Sequence, residues 1–231
     1  MLLAAAAVTI RVLFIGNSLT AANGLPAMVE ALARGAGEHM ESRTVAFPDY
    51  SLEDHWNRGD AARAIATGGW SVVVLQQGPS ALPESRLLLN DYVKRFDARA
   101  RAVGAKTATY MVWPSTQRTG DFEAVSRSYS GAAALVHGMV LPVGDAWRAA
   151  WRHDSHLALY SSDGLHPSPM GTYVAALVMY QQLTGRSPIG LPRTLESPSG
   201  AFPAIVLSAD QAALLQRAAD EANARFRSPP R

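Results

Sequence analysis

The sequence predicts an α/β fold: a central parallel sheet of about five strands, covered by helices on both faces in a three-layer α/β/α sandwich. Short apolar or β-branched runs recur along the chain and alternate with longer segments whose apolar residues fall at helical spacing. No linker-like stretch divides the chain, and its 231 residues suffice for one well-buried core. A single domain over residues 9–231 is therefore expected.

The strand candidates are "TIRVLFIG" (9–16), "RTVAF" (43–47), "SVVVLQ" (71–76), "KTATYMVW" (106–113) and "MVLPVG" (139–144). Each is a short, nearly continuous apolar run, as expected for strands buried on both faces. Helices are expected near 24–37, 60–67, 84–103, 121–137, 145–151, 169–184 and 208–227. The last begins at Ser208, an N-cap residue followed by acidic and amide residues and then by leucines and alanines at helical spacing. "SPSGAFP" (197–203) reads as a loop and "RSPPR" (227–231) as a tail.

Composition excludes several function classes. The formal net charge is +2 and the basic residues are scattered rather than gathered into a stripe, which argues against a nucleic-acid partner. Zero cysteines exclude a thiol nucleophile, a cysteine zinc site and disulfides. No apolar run reaches the roughly 18–20 residues of a membrane-spanning helix, so stable membrane insertion is not expected. Residues 1–8, "MLLAAAAV", read as the remnant of a signal-peptide apolar region, which favours a periplasmic or secreted location. An extension of the first strand in a cytoplasmic protein is the alternative.

Open α/β sheets bind ligands beyond the carboxyl ends of their strands. Ser18 lies just past strand one, Asp49 past strand two, Gln76 and Gln77 past strand three, and Trp113 with Ser115 past strand four. A serine hydroxyl becomes a nucleophile when a histidine takes its proton and a carboxylate holds that histidine in the right tautomer. Of six histidines, only His166 sits in a turn-rich stretch with a carboxylate three residues earlier, Asp163 in "SSDGLHPSPMG". Such a turn can bring Asp163 to Nδ1 and leave Nε2 facing another residue. An Asp-Gly turn leading into a helix cap accounts for the same residues without catalysis.

"FIGNSLT" together with "DGLHPS" resembles the first and last sequence blocks of the SGNH (GDSL-type) hydrolases, and "WSVVVLQQGPS" resembles the third block of a subgroup carrying Gln there. The resemblance spans roughly residues 9–185. It implies Ser18 as nucleophile, His166 as general base and then acid, and Asp163 as the group orienting His166. It also implies Ser18, Asp49 and Gln77 as oxyanion-hole residues, with Asp49 standing where relatives have Gly and Gln77, favoured over Gln76, offering a side-chain amide where they have Asn. Gly78 is a further backbone candidate and Gly59 an alternative to Asp49. Asn17 stands where many relatives have Asp.

Apolar neighbours of this site, Leu19, Trp113 and Leu165, are candidate substrate contacts, with Tyr50 alongside; Met111 reads as strand core. His153 and His156 in "HDSH" read as solvated loop residues rather than metal ligands, and His55 as a core-edge histidine rather than a second base. No metal and no cofactor is called for. The expected partner is a small-molecule ester, cleaved by a serine esterase acting on short-chain carboxylic esters, with O-acetyl groups on carbohydrates favoured. A non-catalytic, flavodoxin-like module binding a sugar or an anion at the first helix N-terminus is the competing reading.

Overall fold

The computed structural model describes residues 9–226. The possible leader at 1–8 and the tail at 227–231 lie outside the described residues. Five strands, β1 (Ile10–Gly16), β2 (Met40–Ala46), β3 (Val72–Leu75), β4 (Lys106–Tyr110) and β5 (Met139–Leu141), form one sheet in the order β2-β1-β3-β4-β5. All its pairings are parallel, with Phe14 opposite Val74 and Ile15 opposite Leu75 at the centre. Strand β3 is buried throughout because helices cover both faces, which is why "VVVL" carries no polar alternation.

Helices α2 (Leu25–Gly35), α7 (Val143–His153), α8 (Pro169–Thr184) and α9 (Ala209–Ala224) pack on one another as one layer. Helices α3 (Leu52–Arg58), α4 (Asp60–Ala66), α5 (Pro83–Ala102) and α6 (Phe122–Leu135) form the other. Local signals set their ends. Ser168 caps α8 by accepting from the Gly171 N–H at 3.0 Å, with Pro169 in the first turn, and Ser208 forms a reciprocal capping box with Gln211 at the start of α9.

Element boundaries differ from expectation where tertiary context decides. Strand β2 starts at Met40 rather than 43: it is an edge strand, and its exposed Glu41 and Arg43 hide it from an apolar-run reading. Strand β4 stops at Tyr110 although Met111, Val112 and Trp113 stay buried, so the apolar run outlasts the ladder. Outside the expected set lie the four-residue turn of helix α1 (Ser18–Ala21), α3, two short 3₁₀ segments (Ala22–Gly24 and Thr116–Asp121), and a small antiparallel pair, β6 (Thr194–Leu195) with β7 (Ile205–Val206).

The strand order reverses direction between β1 and β3. That is the switch point at which open parallel sheets take ligands, and both Ser18 and the Gln76-Gln77 pair emerge there.

Candidate active site

Strand β1 ends at Gly16, and Asn17 caps the turn that follows, its Oδ1 accepting from the Leu19 N–H at 3.1 Å. This places Ser18 at the first position of α1, with its Oγ 2.9 Å from His166 Nε2. Asp163 Oδ2 lies 2.6 Å from His166 Nδ1. The other carboxylate oxygen accepts from the Leu165 N–H at 2.8 Å, the His166 N–H at 2.9 Å and the Ser161 hydroxyl at 2.8 Å. These donors, the Leu165 N–H foremost, hold the Asp163 carboxyl well below the usual carboxylate range. Facing an ionised carboxylate, Nδ1 must carry the ring proton, which leaves Nε2 as the acceptor for the Ser18 hydroxyl.

Beneath the serine lies a buried network centred on Gln76, which has no exposed surface. Its Oε1 accepts from the Asn17 N–H at 2.8 Å and the Thr20 hydroxyl at 2.6 Å, and its Nε2 donates to Asn17 Oδ1 at 2.9 Å. Asn17 Nδ2 in turn donates to the Tyr50 carbonyl at 3.1 Å, tying the loop after β2 to the serine turn. An Asp at position 17 could not make that last bond. The fully buried His55 sits 2.7 Å from the Gly16 carbonyl through Nε2, and burial pushes its pKa down, so it is a neutral prop for the end of β1.

A cleft of about 530 Å³ opens beside Ser18. Leu19, Leu165 and Tyr50 line it, as the sequence leads one to expect, and so do Pro79, Leu82 and Leu88 from the chain after β3, which the sequence reading did not single out. The signal for those was available: "GPSALPES" follows directly on a strand that ends at the ligand-binding edge. Arg118, ion-paired to Asp121 at 2.6 Å, forms part of the rim.

Two site expectations need correction. Trp113 is not a wall of the cleft; it is fully buried, its ring stacked on Trp147 at 3.7 Å and its indole N–H donated to the Leu165 carbonyl at 2.9 Å. Gln77 has no free side-chain donor: Nε2 gives one bond to Ser80 Oγ at 2.9 Å and one to the Ser85 carbonyl at 3.1 Å, and Oε1 accepts from the Leu52 N–H at 3.2 Å. With two protons and two acceptors, that amide group is already saturated. The Gly59 alternative is spent as well, since its N–H bonds the His55 carbonyl at 3.1 Å.

Asp49 does lie on the cleft, exposed, with φ at 61° in the left-handed region that glycine favours and Asp tolerates. Among the described residues, the backbone N–H groups of Ser18, Asp49 and Gly78, all on the cleft, have no intramolecular acceptor. No group of three or more His, Asp or Glu side chains placed to hold a metal ion occurs among the described residues. Among the same residues, no helix is long and apolar enough to cross a membrane.

Neither a protein-family sequence model nor a curated protein matches this chain. Solved structures do. A Slackia heliotrinireducens protein assigned to the SGNH hydrolases superposes with a TM-score of 0.64 at 29% identity, over 76% of this chain and 99% of that one. The chain has the SGNH/GDSL hydrolase fold. Two further likenesses bracket it. A Bacteroides uniformis protein of the family called DUF4886 matches with a TM-score of 0.76 at 20% identity, over 93% of this chain and 94% of that one. An acetyl-xylooligosaccharide esterase from Geobacillus matches this SGNH fold with a TM-score of 0.59 at 14% identity, over 75% of this chain and 94% of that one.

Proposed function

We propose that the protein is a serine esterase that cleaves short-chain carboxylic esters through an acyl-enzyme on Ser18. The observation that carries this reading is the unbroken chain from Ser18 Oγ through His166 to Asp163, at 2.9 Å and 2.6 Å, opening on a cleft at the sheet's switch point.

In this mechanism Ser18 Oγ attacks the ester carbonyl while its proton passes to His166 Nε2. Asp163 stabilises the imidazolium that forms. The developing oxyanion takes hydrogen bonds from the unpaired N–H groups of Ser18, Asp49 and Gly78, so backbone amides replace the Gln77 side chain in that role. His166 then protonates the leaving alcohol, and a water activated by the same nitrogen releases the acid. Carbohydrate O-acetyl esters are the favoured substrate class. Support comes from the Gln-bearing third block, read as marking a subgroup of the family, and from the fold likeness to an esterase described as acting on acetylated xylooligosaccharides.

An organophosphonate probe with peptide mapping tests the nucleophile: Ser18 is expected to carry the label, and acetyl esters are expected to turn over faster than long-chain ones. A folded protein left unlabelled at Ser18 would defeat the proposal, and ligand binding that survives Ser18→Ala with no turnover in the parent would establish the binding module instead. Asp49 lines the same cleft, so its carboxylate opposes a negative charge developing there. Asp49→Gly is expected to raise kcat by about two- to fivefold without loss of thermal stability, since glycine suits φ 61° at least as well. A fall in kcat on acetyl esters would show that the side chain is required.

A further inference from the structure

The Asp163–His166 turn is half-exposed, and a loose turn would not hold Nε2 on Ser18. Asp163 satisfies the turn's N–H groups from within. Its carbonyls are held from outside, by the chain that leaves β4: the Trp113 indole N–H donates to the Leu165 carbonyl at 2.9 Å, and the Thr116 backbone N–H donates to the Gly164 carbonyl at 2.8 Å. These are consecutive peptide units, immediately before His166. Gly164 adopts φ 70°, and a Cβ there would stand 2.3 Å from Thr116 Oγ1, so the turn and the chain at 116 are in direct contact.

The donor indole is itself immobilised. Its ring lies on Trp147 with 15° between planes, and Trp147 donates to the Gly171 carbonyl at 3.2 Å and meets Tyr160 edge-on at 5.0 Å. Tyr160 closes the arrangement, donating its hydroxyl to the Pro114 carbonyl at 2.6 Å. Burial pushes the Tyr160 pKa up to about 12, so its hydroxyl keeps its proton, and donates, through the neutral range. A rotation of Trp113 would break an aromatic stack and leave a half-buried carbonyl unpaired at once.

We infer that Trp113 and the Thr116 amide are positioning groups for His166, a two-point clamp on the Gly164 and Leu165 carbonyls that sets the distance between His166 Nε2 and Ser18. The inference rests on the esterase reading for its kinetic arm, but not for its spectroscopic one.

Trp113→Phe keeps a ring on Trp147 and removes the donor. Thr116→Pro removes the other donor at the first position of a short 3₁₀ helix, where proline fits and where the preceding Ser115 already has the extended backbone, ψ 163°, that proline demands. Each variant is expected to lower kcat on a p-nitrophenyl ester about 10- to 100-fold with KM within twofold, because a catalytic group is displaced while the cleft wall is not. In each, the NMR signal of the His166 Nδ1 proton is expected to move or broaden. The effect carried in KM with kcat intact would return Trp113 to the cleft wall and overturn the inference, as would two folded variants with wild-type kcat and an unchanged His166 signal. If the parent itself neither turns over esters nor labels at Ser18, the esterase reading fails, and the His166 signal still decides the clamp.

Discussion

Asp163→Asn is expected to cut kcat by about 10⁴-fold while leaving the fold intact, a result read by steady-state kinetics beside a thermal melt. An asparagine can still accept the Leu165 and His166 N–H bonds through its carbonyl oxygen, so the turn that carries His166 survives. Its amide nitrogen then stands where Oδ2 stood, 2.6 Å from Nδ1, and offers a proton where the carboxylate accepted one. The imidazole responds by carrying its proton on Nε2. The Ser18 hydroxyl then faces a donor and loses its base. Asp163→Ala would confound this, because it also strips the acceptor that organises residues 161–166. Activity within tenfold of the parent would remove the carboxylate from the mechanism. Labelling of Ser18 by a phosphonate should slow in parallel with kcat, since both need the same deprotonation.

The contrast between what was legible and what was not follows from the range of the interactions. The sheet was readable because strands buried on both faces must be apolar throughout, and "VVVL" and "VLFI" have no other economical reading. The Asp163–His166 pair was readable because its geometry is local, three residues across one turn. Helix α3 carries a local signal too, the Ser51–Asp54 capping box at its start.

Gln77 and Trp113 were different. A glutamine at a strand end offers the same two protons whether they point into a cleft or are consumed by Ser80 and Ser85, and only the tertiary partners decide. Likewise an apolar run ending in tryptophan says nothing of whether a second tryptophan, 34 residues later, lies flat against it. As backbone donors, Asp49 and Gly78 came into view through the family resemblance alone, since every residue but proline has an N–H and nothing local marks which ones stay unpaired.

Gly16→Ala should show how tightly the Ser18 turn depends on packing beneath it. A Cβ at position 16 would stand 2.3 Å from both Gln76 Oε1 and Thr20 Oγ1, which are hydrogen-bonded to each other at 2.6 Å. The glutamine terminus would ordinarily yield to a methyl group. Here it has no exposed surface, and Oε1 also holds the Asn17 N–H at 2.8 Å, so retreat leaves the Thr20 hydroxyl and the N–H of the residue preceding Ser18 without their acceptor. Overpacking and lost hydrogen bonds together cost about 3 kcal/mol, which corresponds to a Tm lower by about 6–12 °C for a chain of this size. Displacement of the serine turn should lower kcat by about 10²-fold beyond what residual folding explains. Gly131→Ala provides the opposite case: it lies inside α6 with nothing within 4 Å of the added Cβ, so the same methyl should stabilise the protein by about 0.5–1 kcal/mol and leave turnover unchanged. Equal melts for the two variants would show that Gln76 yields freely, and that the network under Ser18 is soft rather than fixed.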